Sequence, residues 1–187
     1  ARLEYKPISK LTLGLEYSLL RSKIQMPGGL SDDQYLANPR ASFRARNWVT
    51  TPWNILAFTT RYRFSENTSL SLKAVYNHSG RNVIWRNEDG GPQALDVIDP
   101  TTGDYIPREL GKSVVNSITT EVRFLTNYSI LKTKQTLAAG VRVAYSKFHR
   151  QGGGEGTTGF DYNFTLVSSQ FEYDLIFTTL NVAPYFE

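Results

Sequence analysis

Between Lys10 and Leu19 the chain alternates with a period of two: Leu11, Leu13, Leu15, Tyr17 and Leu19 are separated by Thr12, Gly14, Glu16 and Ser18. Residues two apart share one face of a strand, so this run predicts a strand with one apolar and one polar face. The period returns at Leu56, Phe58, Tyr62 and Phe64, set against Thr59, Arg61 and Arg63. It returns again at Leu70, Leu72, Ala74 and Tyr76, opposite Ser71, Lys73 and Asn77, and at Leu137, Ala139, Val141, Val143 and Tyr145, opposite Gly140, Arg142 and Ser146. A noisier run from Val115 to Leu131 sets Val122 and Phe124 against Glu121 and Arg123. No segment keeps a helical period, so the chain reads as all-β with about seven strands.

The connections are of two kinds. Pro7-Ile8-Ser9, Ser65-Glu66-Asn67-Thr68 and Lys132-Thr133-Lys134 are short and polar, whereas the segments from about Met26 to Pro52, Asn87 to Val114 and Gln151 to Ile176 are long. Short and long alternate strictly. In an antiparallel meander alternate connections lie at the same end, so every long loop emerges on one side, the layout of outer-membrane barrels. Soluble sandwiches and lipocalin-like barrels also alternate, with the apolar face inward. Strand length separates the two: Lys10 to Gln25 and Ser69 to Arg86 exceed the roughly 9–11 residues that cross a bilayer and the usual soluble strand. The expectation is a segment of a large antiparallel transmembrane β-barrel with long extracellular loops. Leu11, Leu13, Leu15, Leu137, Val141 and Val143 should then face lipid, and Glu16, Arg123 and Arg142 the lumen. Arg61 and Arg63 join the lumen set, because a cation on the lipid face costs about 2–4 kcal/mol at midplane. Trp53, Tyr62, Tyr76, Tyr128 and Tyr145 suit aromatic girdles.

Composition narrows the field. The 187 residues carry a net charge of +4 and 20% charged residues, with no apolar run of transmembrane-helix length. There are 11 Tyr, 10 Phe and 3 Trp, which favour strands. The lack of cysteine excludes thiolate metal sites and cysteine nucleophiles, and His78 and His149 alone argue against a multi-histidine centre. No nucleophile–base or carboxylate pair stands out, so the chain does not read as an enzyme, and no cofactor or nucleic acid is implied. Gly152-Gly153-Gly154-Glu155-Gly156 lacks the lysine and helix of a phosphate loop and reads as a loop tip. Asp96, Asp99 and Asp104 have the wrong spacing for an EF-hand and read as a turn. The N-terminus shows no signal-peptide core, and both ends read as strands cut in mid-pattern.

Several pieces, in order, resemble the barrel of TonB-dependent outer-membrane receptors, in particular the ferric citrate transporter-like group. Gly28-Gly29-Leu30-Ser31-Asp32-Asp33-Gln34-Tyr35, then Asn38-Pro39-Arg40-Ala41-Ser42 and Arg44, is similar to an extracellular loop of that group. Phe64-Ser65-Glu66-Asn67 resembles a periplasmic turn; His149-Arg150-Gln151 with Gly156-Thr157-Thr158-Gly159-Phe160-Asp161 resembles a later loop, and Thr178-Thr179-Leu180-Asn181-Val182-Ala183 with Phe186-Glu187 the strand after it. The resemblance implies that residues 1–187 are a partial receptor barrel whose remaining strands, plug domain and TonB box lie elsewhere. It implies active import of a ferric complex (ferric citrate or another siderophore) across the bacterial outer membrane, with outer-membrane lipid and TonB as partners, the latter through the missing N-terminal region.

The resemblance also carries candidate ligand contacts. Arginines suit an anionic complex because the guanidinium fork meets carboxylate oxygens in two parallel hydrogen bonds. Arg81 in Ser79-Gly80-Arg81 matches one such position and Arg108 a second; a third, after Tyr173-Asp174, holds Leu175. Arg40, Arg44 and Arg46 form a basic cluster with Trp48, and Trp85 follows Arg81 on its strand. The expected ligand-binding set is Arg81, Arg108, Arg44, Arg40 and Trp85. The alternative is a non-transporting outer-membrane or surface β protein whose long loops bind a partner or glycan.

Overall fold

The computed structural model describes residues 1–26, 28–86 and 95–187. Among them the elements in chain order are β1 (Arg2–Ile8), β2 (Leu11–Leu20), β3 (Ile24–Gln25), α1 (Asp32–Ala37), β4 (Trp48–Thr50), β5 (Trp53–Arg63), β6 (Thr68–Arg86), β7 (Arg108–Ile130), β8 (Thr133–Glu155) and β9 (Tyr173–Phe186). The chain is all-β: one antiparallel sheet in the order β1-β2-β5-β6-β7-β8-β9, with β3 and β4 added where β4 pairs with the upper part of β6. The sheet is open, and β1 and β9 are its edges.

Register decides which side chains share a face. Leu15 pairs with Phe58, Phe58 with Ala74, Ala74 with Thr120, Thr120 with Val143 and Val143 with Val182. Every predicted apolar position therefore lies on one face, Leu11, Leu13, Leu137 and Val141 included. The opposite face carries Glu16, Arg61, Arg63, Lys73, Glu121, Arg123 and Arg142. Tyr62, Tyr76, Tyr128 and Tyr145 stand on the apolar face as expected. Trp53 does not: it pairs with Leu20 and Ser79 and belongs to the polar face, since an odd position on β5 alternates with Leu56 and Phe58.

Among the described residues no second layer covers the apolar face below the loops. Leu15, Leu56, Leu180 and Val182 are all exposed, and the buried hydrophobics among the described residues are Val83, Ile84, Leu110 and Ala138. On the polar face Glu121 lies between Lys73 and Arg142 in register. Among the described residues no ion pair joins it to either, and it accepts a hydrogen bond from the Tyr185 hydroxyl at 3.4 Å. The ring of Tyr185 lies over Gly140, where a Cβ would come within 2.5 Å of it.

The short turns are staggered. Leu11, at the first turn, is level with Phe124 through Tyr62 and Leu70; Thr68, after the second, is level with Thr126; the third follows Ile130. From Phe124 to Ile130 is a drop of six residues, about 20 Å at strand rise. Such a stagger inclines the strands to the line of their turns, the relation that barrel closure requires.

Several boundaries differ from the sequence reading: Pro7 and Ile8, read as turn, end β1, and Thr68, read as turn, opens β6, since backbone pairing claims them. The third turn is Leu131-Lys132, while Thr133 and Lys134 already pair with Ile130 and Ser129. Both turn residues have positive φ, 49° and 69°, the two-residue hairpin geometry that usually selects Asn-Gly. The polar residues from Arg108 to Val114 and the glycines from Gly152 to Gly154 are strand, because pairing with β6, β7 and β9 uses their backbone whatever their side chains are. β2 stops at Leu20 instead of running to Gln25. The helix α1, at six residues, is too short to show a helical period, yet it carries a capping signature. Ser31 and Gln34 form a capping box, with the Gln34 amide donating to Ser31 Oγ at 3.3 Å and the Ser31 amide to Gln34 Oε1 at 3.0 Å.

Replacing Leu131-Lys132 by Asn-Gly should relieve the two left-handed residues and stabilise the hairpin by about 1 kcal/mol. The check is an equilibrium unfolding curve whose denaturant midpoint rises at unchanged slope.

Candidate functional site at the loop end

Beyond Ser79 and Val115, β6 and β7 continue together to Arg86 and Arg108, above the end of β5. Here the two faces of the sheet part company. Ile84, Arg86, Arg108 and Leu110 continue the apolar face, and all four are buried. Their cover is the loops. Gly156 sits against Ile84, so close that a Cβ there would meet the Ile84 side chain at 2.5 Å, and Leu166 and Phe171 pack over Gly154. Trp48, paired with Ile84, donates its indole N–H to the carbonyl of Phe160 at 2.8 Å and meets Tyr162 edge-on.

Arginines lock this cover. Arg108 spends all five guanidinium N–H groups inside the protein. Nε donates to the Thr157 carbonyl at 2.9 Å, Nη1 to the carbonyls of Arg46 and Asp161 at 2.8 and 2.9 Å, and Nη2 to Thr157 Oγ1 and, at 3.3 Å, to Asp161 Oδ1. Burial lowers its pKa from the ordinary arginine value; the Asp161 carboxylate opposes that and the Arg46 charge adds to it. Arg46 and Arg86, also buried, each donate to Asp96 Oδ1, at 3.2 and 3.3 Å, and the Arg46 guanidinium lies over the Tyr105 ring. Asp99 closes a turn by accepting from the Thr101 amide at 2.8 Å, the role its spacing suggested. Asp96 is instead the acid between two arginines.

The other face of the same strands is exposed at Arg81 and Trp85, with Val83 buried between them. Arg81 and Trp85 alternate on β6 with buried Ile84 and Arg86, and both are exposed. Arg81 and Arg108 therefore stand on opposite faces of the sheet and do not face one ligand together. In register with Arg81 are Ser113 on β7, Arg150 on β8 and Leu175 on β9. Arg150 is exposed, and its guanidinium lies 5.6 Å from the centre of the Tyr173 ring. Neither Arg81 nor Arg150 has an acidic partner within ion-pair distance among the described residues. Two strand spacings separate them, about 10 Å.

The remaining candidates occupy the segment after α1. Arg40 is exposed, with its backbone N–H donating to Asn38 Oδ1 at 3.1 Å. Arg44 is half-buried, its aliphatic stem lying over Gly28, whose φ of 76° suits glycine. The basic cluster of Arg40, Arg44 and Arg46 is thus divided among three environments. Residues 87–94, the start of the second long loop, lie outside the described residues.

Sequence reasoning missed Arg150 as a neighbour of Arg81. Its signal was the alternation Ser146, Phe148, Arg150, which continues the polar face of β8 if the strand runs on to Glu155. On the apolar-face side, His149 Nε2 lies 2.5 Å from Asp174 Oδ1, and Gln151 donates to Asp174 Oδ2 at 2.8 Å. These hydrogen bonds, from Gln151 first and His149 second, hold the Asp174 carboxyl below the usual range. Among the described residues no group of three or more His, Cys, Asp or Glu side chains forms a metal site. No protein-family model, curated protein or solved structure matches the chain.

Arg108→Ala should free the loop over residues 156–164 by about 2–4 kcal/mol, because three carbonyls lose their donor in a buried place. Hydrogen exchange at the Gly156 amide, which donates to the Arg108 carbonyl, should speed up accordingly. Arg81→Ala, on the open face, should leave it unchanged within about 0.5 kcal/mol.

Proposed function

We propose that this sheet is part of the wall of an outer-membrane β-barrel of the TonB-dependent receptor kind, which imports an anionic ferric complex. The observation that carries the reading is the apolar face, continuous over seven strands and, among the described residues, without a protein layer upon it. Hydrocarbon is the cover that such a face fits, provided the strands close so that no backbone edge meets lipid. The staggered turns, and the placing of every long loop at one end, agree with a tilted, closing sheet. The polar face then lines the interior, where Arg61, Lys73, Arg123 and Arg142 keep their charge in a wet or protein-filled space.

In this reading Arg81 and Trp85 stand on the inner wall above the membrane, and Arg150 supplies the second cation of the same row. Arg40 and Arg44 meet ligand only where their loop reaches over that wall. Arg108 serves the site from behind: it fixes the loops and leaves no N–H for a ligand. The protein performs no covalent chemistry. A plug domain bound to TonB would have two states that hold the complex differently, and that difference moves the ligand. The surface-protein alternative draws support from α1, where Tyr35 and Leu36 are exposed, as a partner-binding loop would present them.

Nitroxide labels test the membrane wall. In vesicles, a label at Val143 should collide with dissolved oxygen, and one at Arg142 with a water-soluble nickel chelate. Equal access of the chelate to both positions would refute it.

Ferric citrate binding tests the ligand site. Losing one charge-assisted hydrogen bond of about 1.5–3 kcal/mol should weaken affinity roughly ten- to a hundred-fold in Arg81→Ala. Arg63→Ala, near the turn end, should change it much less. Unchanged affinity in folded Arg81→Ala removes Arg81 from the site, and an equal loss in both variants points to long-range charge.

A further inference from the structure

On the apolar face, cross-strand register places Tyr17, Leu56, Tyr76, Ile118, Tyr145 and Leu180 in one row. The next row towards the loops changes character: Asn54, His78, Asn116, Lys147 and Thr178 follow Leu19. The two rows are hydrogen-bonded to each other. Tyr17 donates to Asn54 Oδ1 at 3.1 Å, Tyr76 to Asn116 Oδ1 at 3.2 Å, and His78 Nδ1 lies 2.6 Å from the same Asn116 oxygen. Because Asn116 Oδ1 only accepts, His78 Nδ1 carries the proton in that contact.

Lys147 is the lysine of this row. Between the short turns and this row, the apolar face holds no Lys, Arg, Asp or Glu on any strand. Lys147 is exposed, and no hydrogen bond or ion pair engages it among the described residues. His78 lies across Asn116, two strand spacings or about 10 Å away. A lone cation directly above an aliphatic field, beside tyrosines with their hydroxyls turned upward, suits the headgroup level of a bilayer. There the four-carbon stem lies along apolar surface while the ammonium reaches water and phosphate.

We infer that Lys147, with His78 and the Asn116 amide between them, forms a binding strip for the phosphate of anionic lipid headgroups. This rests on the membrane-wall reading above. The lipid is recognised by charge and depth together: its acyl chains cover Val143, Val182 and Leu180, and its phosphate meets Lys147. A cation at a membrane surface favours an anionic lipid by about fivefold.

The test uses the full-length protein in vesicles of phosphatidylcholine with a fraction of phosphatidylglycerol, and spin-labelled analogues of each lipid as probes. Labelled phosphatidylglycerol should be retained at the protein surface about fivefold more strongly than labelled phosphatidylcholine. Lys147→Gln should abolish most of that preference. Lys73→Gln, on the opposite face, should keep it. A preference that survives Lys147→Gln, while a label at Val143 still reports hydrocarbon, overturns the strip and leaves the wall standing. A Val143 label in water overturns both. Displacement of the labelled lipid by inorganic phosphate at millimolar concentration would also overturn the headgroup assignment, in favour of a solute anion site.

Discussion

An apolar sheet face that the chain leaves uncovered is the constraint on which the rest of the molecule depends. A buried Leu, Val or Phe side chain is worth about 1.5–3 kcal/mol, and Leu15, Leu56, Phe58, Leu180 and Val182, all exposed, realise only part of it within the chain. Cohesion across the middle of the sheet comes from the backbone ladders, with β7 and β8 in register over almost their whole length. Such ladders contribute only about 1 kcal/mol per bond net of water. The greater stabilisation arises only when something covers the face. The polar face meets the same constraint with the opposite sign: its arginines and Lys73 are tolerable only where water or protein carboxylates reach them.

At the loop end the constraint is met internally, and the chemistry changes. Ile84 and Leu110 continue the apolar face, but loops cover them, and covering them also buries loop backbone. Buried carbonyls need donors. Arg108 supplies donors to the carbonyls of Thr157, Arg46 and Asp161, and Arg46 to that of Ile106. Arginine fits because five donors in a fixed fork can serve several loop segments at once. The consequence for function is an asymmetry. Loops fixed on one face leave Arg81, Trp85 and Arg150 exposed on the other, around the buried Val83.

Parts of this site could be read from the chain and parts could not. The strand that carries Arg81 and Trp85 was legible, because its alternation is clear from Leu70 onward. Arg108 was not, because the polar run after it concealed the start of β7, and its face depends on pairing with Arg86. The cluster of Arg40, Arg44 and Arg46 looked like one feature because sequence proximity is all a loop shows. Arg46 meets Asp96 and Ile106, fifty and sixty residues away, and no local rule connects them.

The sequence by itself determined the strands, their two faces and the segregation of short turns from long loops. These follow from a period of two and from turn composition, both local properties of the backbone. Tertiary structure decided the rest: the register across strands, the stagger of the turns and the extension of β7 and β8 through polar and glycine-rich sequence. It alone placed Arg81 and Arg108 on opposite faces and Arg150 in the row of Arg81. The reason is physical. Alternation fixes the face of a side chain relative to its own strand, whereas the neighbours across a sheet are fixed only when backbone hydrogen bonds choose one pairing, and a slip of one residue would reverse every face.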